Sequence, residues 1–208
     1  MKFTVFLPFH KMTGEETATG EKEMREPMQS GNATILYGKD IYLRLMQDED
    51  TDLIVKWRNE AFVRQNFIYR ETFTPQGHRN WVETMVKTGK VVQFIICTKE
   101  DRAVGSVYLR DIDPVHRKAE YGIFIGEADA LSKGYGTQAA KLMIQYAFQE
   151  LKLHKLMLRL LAGNERAKRS YEKAGFVQEA YLKDEVYLEE GYRDEIWMAC
   201  FNPEDEEV

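Results

Sequence analysis

The chain has 208 residues, of which 44% are hydrophobic and 30% are charged, and its formal net charge is −5. Such a composition is typical of a globular protein with one domain and a sizeable core. The acidic balance argues against nucleic acid or an anionic membrane as a partner, because both call for a basic face. No apolar run of the sequence approaches the roughly 20 residues that span a bilayer, and we expect no signal peptide at MKFTVFLPFHK.

The two cysteines, Cys97 and Cys200, lie in apolar stretches that are far apart in the sequence. Their spacing is not that of metal ligands, and we expect no metal site. We expect two buried thiols rather than a disulfide, which is typical of a protein in the reducing cytoplasm.

The first 38 residues differ from the rest of the chain. A possible short strand, Phe3–Phe9, is followed there by a polar stretch with few periodic apolar positions. We interpret residues 1–38 as an extension that lies on a sheet edge or on a second subunit, and we expect a homodimer. Residues 39–202 form the expected domain, and residues 203–208 form an acidic tail.

The first half of the domain combines helices with short strands. Alternation predicts a strand over residues 41–45, and apolar residues at helical spacing predict a helix over residues 48–65. Thr74 and Pro75 suit the N-cap and the first position of a second helix. Further strands, the first two joined in a hairpin, are predicted over residues 91–98, 104–110 and 118–125.

The second half begins with a long helix after Gly136 and continues with a strand over residues 156–162. Asn164 suits the N-cap of another helix, which Gly175 ends. A closing hairpin is predicted over residues 177–188 and 192–201. These elements predict a mixed α/β (α+β) protein, with helices packed on the faces of a central sheet.

Two glycines precede the long helix in the stretch LSKGYGTQAAKLMIQYAF, residues 131–148. The first turn of a helix has free N–H groups and partial positive charge, and glycine lets an anion approach that backbone. A pyrophosphate would fit there, although a tight connection between a strand and a helix is an equal alternative. The spacing matches neither a P-loop nor a dinucleotide fingerprint.

The segment NERAKRSYEKAGF, residues 164–176, has the pattern Asn-x-x-Ala-x-x-x-Tyr-x-x-x-Gly-Phe. With the preceding glycine loop, it resembles the GNAT N-acetyltransferase superfamily, and the resemblance covers about residues 39–201. The segments KWRN, residues 56–59, and EEGYRDEIWMAC are similar to the branch that holds ribosomal-protein, polyamine and nucleotide-aminosugar acetyltransferases. The loop departs from the usual family pattern, because Leu131 replaces Gln or Arg and Ser132 stands where glycine is frequent.

The resemblance implies a mostly antiparallel, twisted central sheet with helices on both faces, and acetyl-CoA as co-substrate. Backbone near the end of the strand over residues 118–125 would bind the pantetheine arm, and the loop would bind the pyrophosphate. The lysines at 168 and 173 could meet the ribose phosphate, although a solvated helix face is the better reading for both. The implied cofactor-binding residues are Phe124, Ile125, Gly126, Lys133, Gly134, Tyr135, Gly136, Thr137, Gln138, Asn164, Tyr171 and Lys173.

Tyr171 matches the family tyrosine that lies beside the CoA sulfur, so the resemblance implies that it protonates the leaving thiolate. Helical spacing alone would instead place Tyr171 in the core. Glu120 is our candidate general base, acting directly or through water. Strand alternation puts it on one face with Gly122 and Phe124. The alternative for Glu120 is a salt bridge to a neighbouring Arg117 or Lys118.

The acceptor would be a primary amine, bound between the first helices and the closing hairpin. Arg58 suits a phosphate or carboxylate, and tryptophans suit a sugar or base, although Trp57 and Trp81 could equally be core. For His78 we favour a structural hydrogen bond over catalysis. The candidate substrate-binding residues are Trp57, Arg58, Asn59, His78, Trp81 and Tyr121.

The identity of the amine stays open between a nucleotide-linked aminosugar, a polyamine and a protein N-terminus. A CoA-binding module without catalysis would have lost Tyr171, which this chain retains. A nucleotide-binding interaction domain would need a fuller phosphate motif.

Overall fold

The computed structural model describes residues 34–205, so the predicted strand Phe3–Phe9 and the last three residues of the acidic tail lie outside the described part. Eight strands form one sheet in the order β1-β2-β3-β4-β5-β6-β8-β7. Among them only β5 and β6 pair in parallel. The strands are β1 (Ile35–Tyr37), β2 (Ile41–Leu45), β3 (Val92–Thr98), β4 (Ala103–Asp113), β5 (Lys118–Ile125), β6 (Lys155–Leu161), β7 (Val177–Leu188) and β8 (Gly191–Phe201).

Helices cover both faces of this sheet, because its central strands alternate between two apolar cores. In β3, Phe94 and Ile96 belong to the core under the long helix, whereas Ile95 and Cys97 belong to the core under the N-terminal helices. The expected mixed, mostly antiparallel sheet with helices on both faces is therefore confirmed. The helices are α1 (Thr51–Asn59), α2 (Ala61–Arg64), α3 (Pro75–Trp81), α4 (Tyr135–Gln149) and α5 (Glu165–Ala174).

The predicted helix ends are confirmed where capping residues define them. The Thr74 side chain accepts a hydrogen bond from the Gly77 amide, and the Asn164 side chain accepts one from the Ala167 amide. Gly175 ends α5 with a φ of 115°, a left-handed value that favours glycine.

One expectation was wrong at the N-terminal end of the domain. The single helix predicted over residues 48–65 is interrupted, because Glu60 has an extended backbone with φ −61° and ψ 131°. Periodicity alone could not show this break, since apolar residues continue on both sides of it. Ile35–Tyr37, which we assigned to the extension, forms the edge strand β1 and pairs with β2.

The parallel pair β5 and β6 separates partway along its length. The two strands pair at only three positions, ending at Glu120 with Met157, yet β5 continues to Ile125 and β6 to Leu161. Backbone groups beyond this point have no partner strand between them. The separation opens the sheet beside the start of α4, and this opening determines where a ligand can enter.

Both cysteines are free and buried, as expected. Within residues 34–205, no helix is long and apolar enough to cross a bilayer.

Candidate active site

A cavity of about 790 Å³ lies at the separation of β5 and β6, and we call it the central cavity. It is lined by β5 from Glu120 onward, by residues of β3 and β4, by the end of β6, the start of α4, one side of α5 and the segment from α1 to α3. Polar and aromatic side chains from all of these elements face it, including Arg58, Tyr108, Glu120 and Tyr171. One cavity therefore collects groups from distant parts of the chain.

The open edge of β5 offers unpaired backbone groups to this cavity. The Gly126 amide donates a hydrogen bond to the Val104 carbonyl at 2.8 Å, which fixes the alternation of the ladder between β4 and β5. By that alternation, Phe124 directs its backbone groups toward β4, whereas Ile123 and Ile125 direct theirs toward the opening. An extended ligand can pair with this edge as a further strand.

The start of α4 presents free backbone N–H groups to the cavity. Gly134 precedes the helix with a φ of 79°, and Ser132 also has a positive φ, of 62°. No side chain caps the helix, so the amides of Tyr135, Gly136 and Thr137 have no intrahelical partner. These three residues line the central cavity. The arrangement fits a diphosphate, because free N–H groups and the helix dipole both favour negative charge.

Two side chains expected at the pyrophosphate point elsewhere. The Gln138 side chain forms two hydrogen bonds with Asp40, at 2.8 and 3.0 Å. Lys133 lines a separate shallow pocket that also includes Asp40. Neither of these residues lines the central cavity, and Lys168 does not line it either. Asn164 and Lys173 do line it, as expected.

Tyr171 faces the central cavity from α5. Its ring packs edge-on against Tyr121, with centroids 6.1 Å apart, and against Phe176 at 6.0 Å. Burial raises the pKa of the Tyr171 hydroxyl well above its ordinary value. The phenol therefore stays protonated at neutral pH and is available as a proton donor.

Glu120 faces the same cavity and is shared by two guanidinium groups. Arg110 Nη2 donates to Glu120 Oε1 at 2.6 Å, and Arg159 donates to both carboxylate oxygens at 3.3 Å. Neither partner is one of the neighbouring residues that we named as alternatives. Arg110 lies opposite Glu120 in the ladder, and Arg159 lies just beyond the point where β6 leaves β5.

Arg58 is a buried cation at the wall of the cavity. Its guanidinium carbon lies 3.3 Å from the centre of the Phe67 ring and 4.5 Å from that of Phe73. Its Nη1 has no hydrogen-bond partner, and burial lowers the pKa of Arg58 to about 10. A desolvated guanidinium with a free N–H is costly unless an anion pairs with it.

Three further predicted residues lie outside the cavity. Trp57 is fully buried and its indole donates to Glu127 at 2.7 Å, so it belongs to the core. Gly126 does not line the cavity, because its α-carbon faces Trp57 and its amide bonds Val104. Asn59 binds the backbone of Phe73 in both directions and so fixes the loop before α3.

The remaining substrate candidates, His78, Trp81 and Tyr121, do line the cavity. His78 is buried with its Nδ1 3.1 Å from the Thr51 hydroxyl, and burial lowers the pKa of the imidazole. That geometry agrees with the structural hydrogen bond favoured for His78. The Tyr121 hydroxyl is buried without a hydrogen-bond partner.

Sequence reasoning missed Tyr108, Arg110 and Arg159, all of which line the cavity. Alternation along the predicted hairpin strand could have placed Tyr108 and Arg110 on one face. Arg159 had no such signal, because its approach to Glu120 depends on the register of a parallel pair. Among the described residues, no cluster of three or more metal-binding side chains is present.

Comparisons with known proteins agree with this geometry. Residues 40–177 match the family model described as an acetyltransferase (GNAT) domain. The probable N-acetyltransferase YjcK of Bacillus subtilis is 31% identical over 182 residues, 83% of this chain and 100% of that protein. The spermidine N(1)-acetyltransferase of Escherichia coli K12 is 35% identical over 142 residues, 68% of each chain.

The fold also matches a crystal structure of spermidine N-acetyltransferase from Vibrio cholerae in complex with CoA and spermine. The TM-score is 0.74 at 23% identity, over 78% of this chain and 95% of that one. The open β5 edge and the uncapped helix start thus lie in a fold for which a CoA complex is known. The chain belongs to the GNAT family and is an acetyl-CoA-dependent N-acetyltransferase.

Proposed function

We propose that the protein transfers the acetyl group of acetyl-CoA directly to the primary amine of a small molecule, within a ternary complex. The observation that carries this proposal is that three features line one cavity: the unpaired edge of β5, the uncapped start of α4 and the protonated phenol of Tyr171. The first suits the pantetheine arm, the second suits the diphosphate, and the third suits the sulfur.

In the proposed reaction, the neutral amine nitrogen attacks the thioester carbonyl carbon and the bond from that carbon to sulfur breaks. An N–H group on the β5 edge stabilises the developing oxyanion. Tyr171 donates its proton to the departing thiolate, whose unperturbed pKa is about 8.5. The acylated nitrogen loses its extra proton to become the neutral amide, and that proton returns to the Tyr171 phenolate, directly or through water. An alkylammonium has a pKa of about 10.4, so a group near the amine must first remove a proton.

We propose Glu120 as the group that removes this proton, directly or through water. Its carboxylate lines the cavity, and its Oε2 has a single contact, with Arg159 at 3.3 Å. A lone pair on that oxygen remains open to a water or to the ammonium. The same carboxylate also holds Arg110 and Arg159 in place, so a variant at this position tests two roles at once.

The competing acceptor is a protein N-terminus. Phe67, Phe73 and Trp81 line the cavity on the side of the N-terminal helices, where the acceptor would bind. A non-catalytic CoA-binding role is the other competitor, and it would leave the phenol of Tyr171 without a task.

The test is release of CoA thiol from acetyl-CoA in the presence of aminosugars, amino acids, polyamines and short peptides. A binding titration with acetyl-CoA runs in parallel. We expect acetyl-CoA to bind and at least one small amine to accelerate thiol release above the rate without acceptor. Acceleration by peptides alone would replace the small-molecule acceptor with a protein terminus, and binding without any acceleration would favour the non-catalytic module.

The homodimer remains part of this proposal. The hairpin of β7 and β8 exposes Tyr181, Tyr187 and Tyr192, which a second subunit would cover. One structural relative, the Vibrio cholerae enzyme, is described as dodecameric, so light scattering is the appropriate measurement. We also place the reaction in the cytoplasm, because both cysteines are free thiols.

A further inference from the structure

The central cavity is positively charged, although the chain as a whole is acidic. Six Arg or Lys side chains line it against two carboxylates, whereas the whole chain has a net charge of −5. Arg166, Arg169 and Lys173 lie on α5, beside the start of α4, where the phosphates of CoA would lie. The other three cations therefore need a different explanation.

Those three are Arg58, Arg110 and Arg159, on the side of the sheet that carries the N-terminal helices. Within the cavity Arg110 and Arg159 share Glu120, so two positive charges face one carboxylate there, while the exposed Asp111, 3.7 Å from Arg110 Nε, lies outside the cavity. Arg58 forms no ion pair with any of residues 34–205, and only 7% of it is exposed. Its only polar contact there is a long one, 3.5 Å from Nη2 to the Tyr69 carbonyl.

Tyr108 lines the same cavity as these three guanidinium groups. By strand alternation it lies on the face of β4 that carries Arg110, one position from the pair of Arg110 and Glu120 along that face. The ring lies across Gly122, in the wall of the cavity. The phenol thus offers an uncharged hydrogen-bond donor in a cavity that three arginines also line.

A polyamine fits this surface poorly. Each amine of spermidine carries a positive charge at neutral pH, and like charges in a site of low dielectric constant repel strongly. Only Glu120 and the exposed Glu71 supply negative charge to the cavity. An acceptor that carries an anionic group near its amine fits both kinds of charge in the cavity. Its amine can approach Glu120 while its anionic group pairs with Arg58.

We propose, resting on the proposed acetyl transfer, that the acceptor amine carries a phosphate or carboxylate group that Arg58 and Tyr108 bind, with Arg110 and Arg159 held nearby by Glu120. Guanidinium groups bind both anions in a planar, two-point geometry. The aromatic rings of Phe67 and Phe73 keep water from Arg58 and so strengthen that contact. Arg58 is then a specificity residue for the acceptor.

The experiment compares matched acceptors in the thiol-release assay at saturating acetyl-CoA. The pairs are glucosamine 6-phosphate with glucosamine, and β-alanine with its amide, and spermidine is measured alone. We expect kcat/KM for the anionic member of at least one pair to exceed that of its neutral partner by about 10-fold to 100-fold, the effect of a charge-assisted contact. Which pair responds separates phosphate from carboxylate, and spermidine should be the poorest acceptor.

The variant Arg58→Gln should reduce the ratio within the responding pair to about 1, while acetyl-CoA binding measured by calorimetry persists. Arg79→Gln, an exposed arginine of α3 outside the cavity, should leave the ratio unchanged. If Arg58→Gln fails to fold, Arg159→Gln at a partly exposed strand position should lower the same ratio. A preference for spermidine or for the neutral members, or a ratio that survives both variants, overturns the proposal.

A binding measurement separates this proposal from the acetyl transfer itself. Glucosamine 6-phosphate and glucosamine are titrated into protein saturated with CoA. Preferential binding of the phosphate that Arg58→Gln removes supports the anion site even if no amine is acetylated, in which case the transfer proposal fails alone. Equal binding of the two sugars, with acetylation of uncharged amines, leaves the transfer intact and removes the anion site.

Discussion

Tyr108 occupies the space that a side chain at Gly122 would take. The two residues lie opposite each other on β4 and β5, and a Cβ atom added at Gly122 would lie 2.3 Å from Cζ of the tyrosine ring. Only glycine therefore allows the ring to lie across the neighbouring strand in the wall of the central cavity. The position of the Tyr108 hydroxyl in the central cavity therefore depends on the absence of a side chain at Gly122 on the neighbouring strand.

Gly122→Ala should move the Tyr108 ring and weaken acceptor use. The ring end is flexible, so we expect stability to fall by no more than about 1 to 3 kcal/mol, with acetyl-CoA affinity retained. We expect kcat/KM for the acceptor to fall by about 10-fold, since one hydrogen bond is lost. In a Tyr108→Ala background the same substitution should cost nothing further, and a full additional loss there would contradict the displacement.

Tyr171→Phe should lower kcat by about 100-fold and leave the affinity for acetyl-CoA near that of the wild type, because only a proton donor is removed. Tyr146→Phe, a tyrosine of α4 outside the cavity, is the matched control. Loss of acetyl-CoA binding with normal turnover would exclude the donor role.

The pH dependence gives a second test of Tyr171. A donor works in its protonated form, and burial raises the pKa of this hydroxyl, so the phenol remains protonated beyond its ordinary value of about 10. We expect no decline in kcat near pH 10 that belongs to this residue. If kcat of the wild type declines near pH 10 and Tyr171→Phe abolishes that decline, the pKa of the Tyr171 hydroxyl is not raised, which would contradict this prediction.

Glu120→Gln separates proton removal from positioning. A base role predicts a fall in kcat of about 100-fold that is steepest below the pKa of the amine, since fewer amines are neutral there. A role limited to holding Arg110 and Arg159 predicts a raised acceptor KM with an unchanged pH profile of kcat. That outcome would exclude Glu120 as the base. Glu71→Gln, the other carboxylate of the cavity, is the control.

Gly126 and Gly136 should respond to alanine in opposite ways. At Gly126 a Cβ would lie 2.1 Å from Cγ of the fully buried Trp57, so we expect overpacking to cost about 3 kcal/mol in the free energy of unfolding. At Gly136 the nearest atom would be 3.6 Å away, so thermal stability should hold while acetyl-CoA affinity falls. Equal stability of the two variants in a melting experiment would refute this packing argument.

The sequence was sufficient for the parts of the fold that local chemistry determines. Thr74, Asn164 and Gly175 predicted helix ends because caps act within a few residues. Alternation placed Glu120 on the face of Phe124, and the motif around Tyr171 located one wall of the cavity. The break at Glu60 escaped prediction because apolar residues continue on both sides of it. Strand β1, which pairs with β2 across a short turn, escaped prediction because we counted its residues with the polar extension.

The positive charge of the cavity could not be derived from the sequence, because it depends on how three separate elements are placed relative to β5. Arg110 meets Glu120 across a hairpin, Arg159 arrives from the strand that separates from β5, and Arg58 comes from α1. Composition did not indicate this charge, since the chain is acidic and the cavity is not.

The most direct test of the account is a structure of the protein with CoA bound. We expect the diphosphate to contact the amides of Tyr135, Gly136 and Thr137, the pantetheine arm to pair with Ile123 and Ile125, and the sulfur to lie within hydrogen-bonding reach of the Tyr171 hydroxyl. CoA bound elsewhere on the protein, or with its sulfur far from Tyr171, would contradict the account.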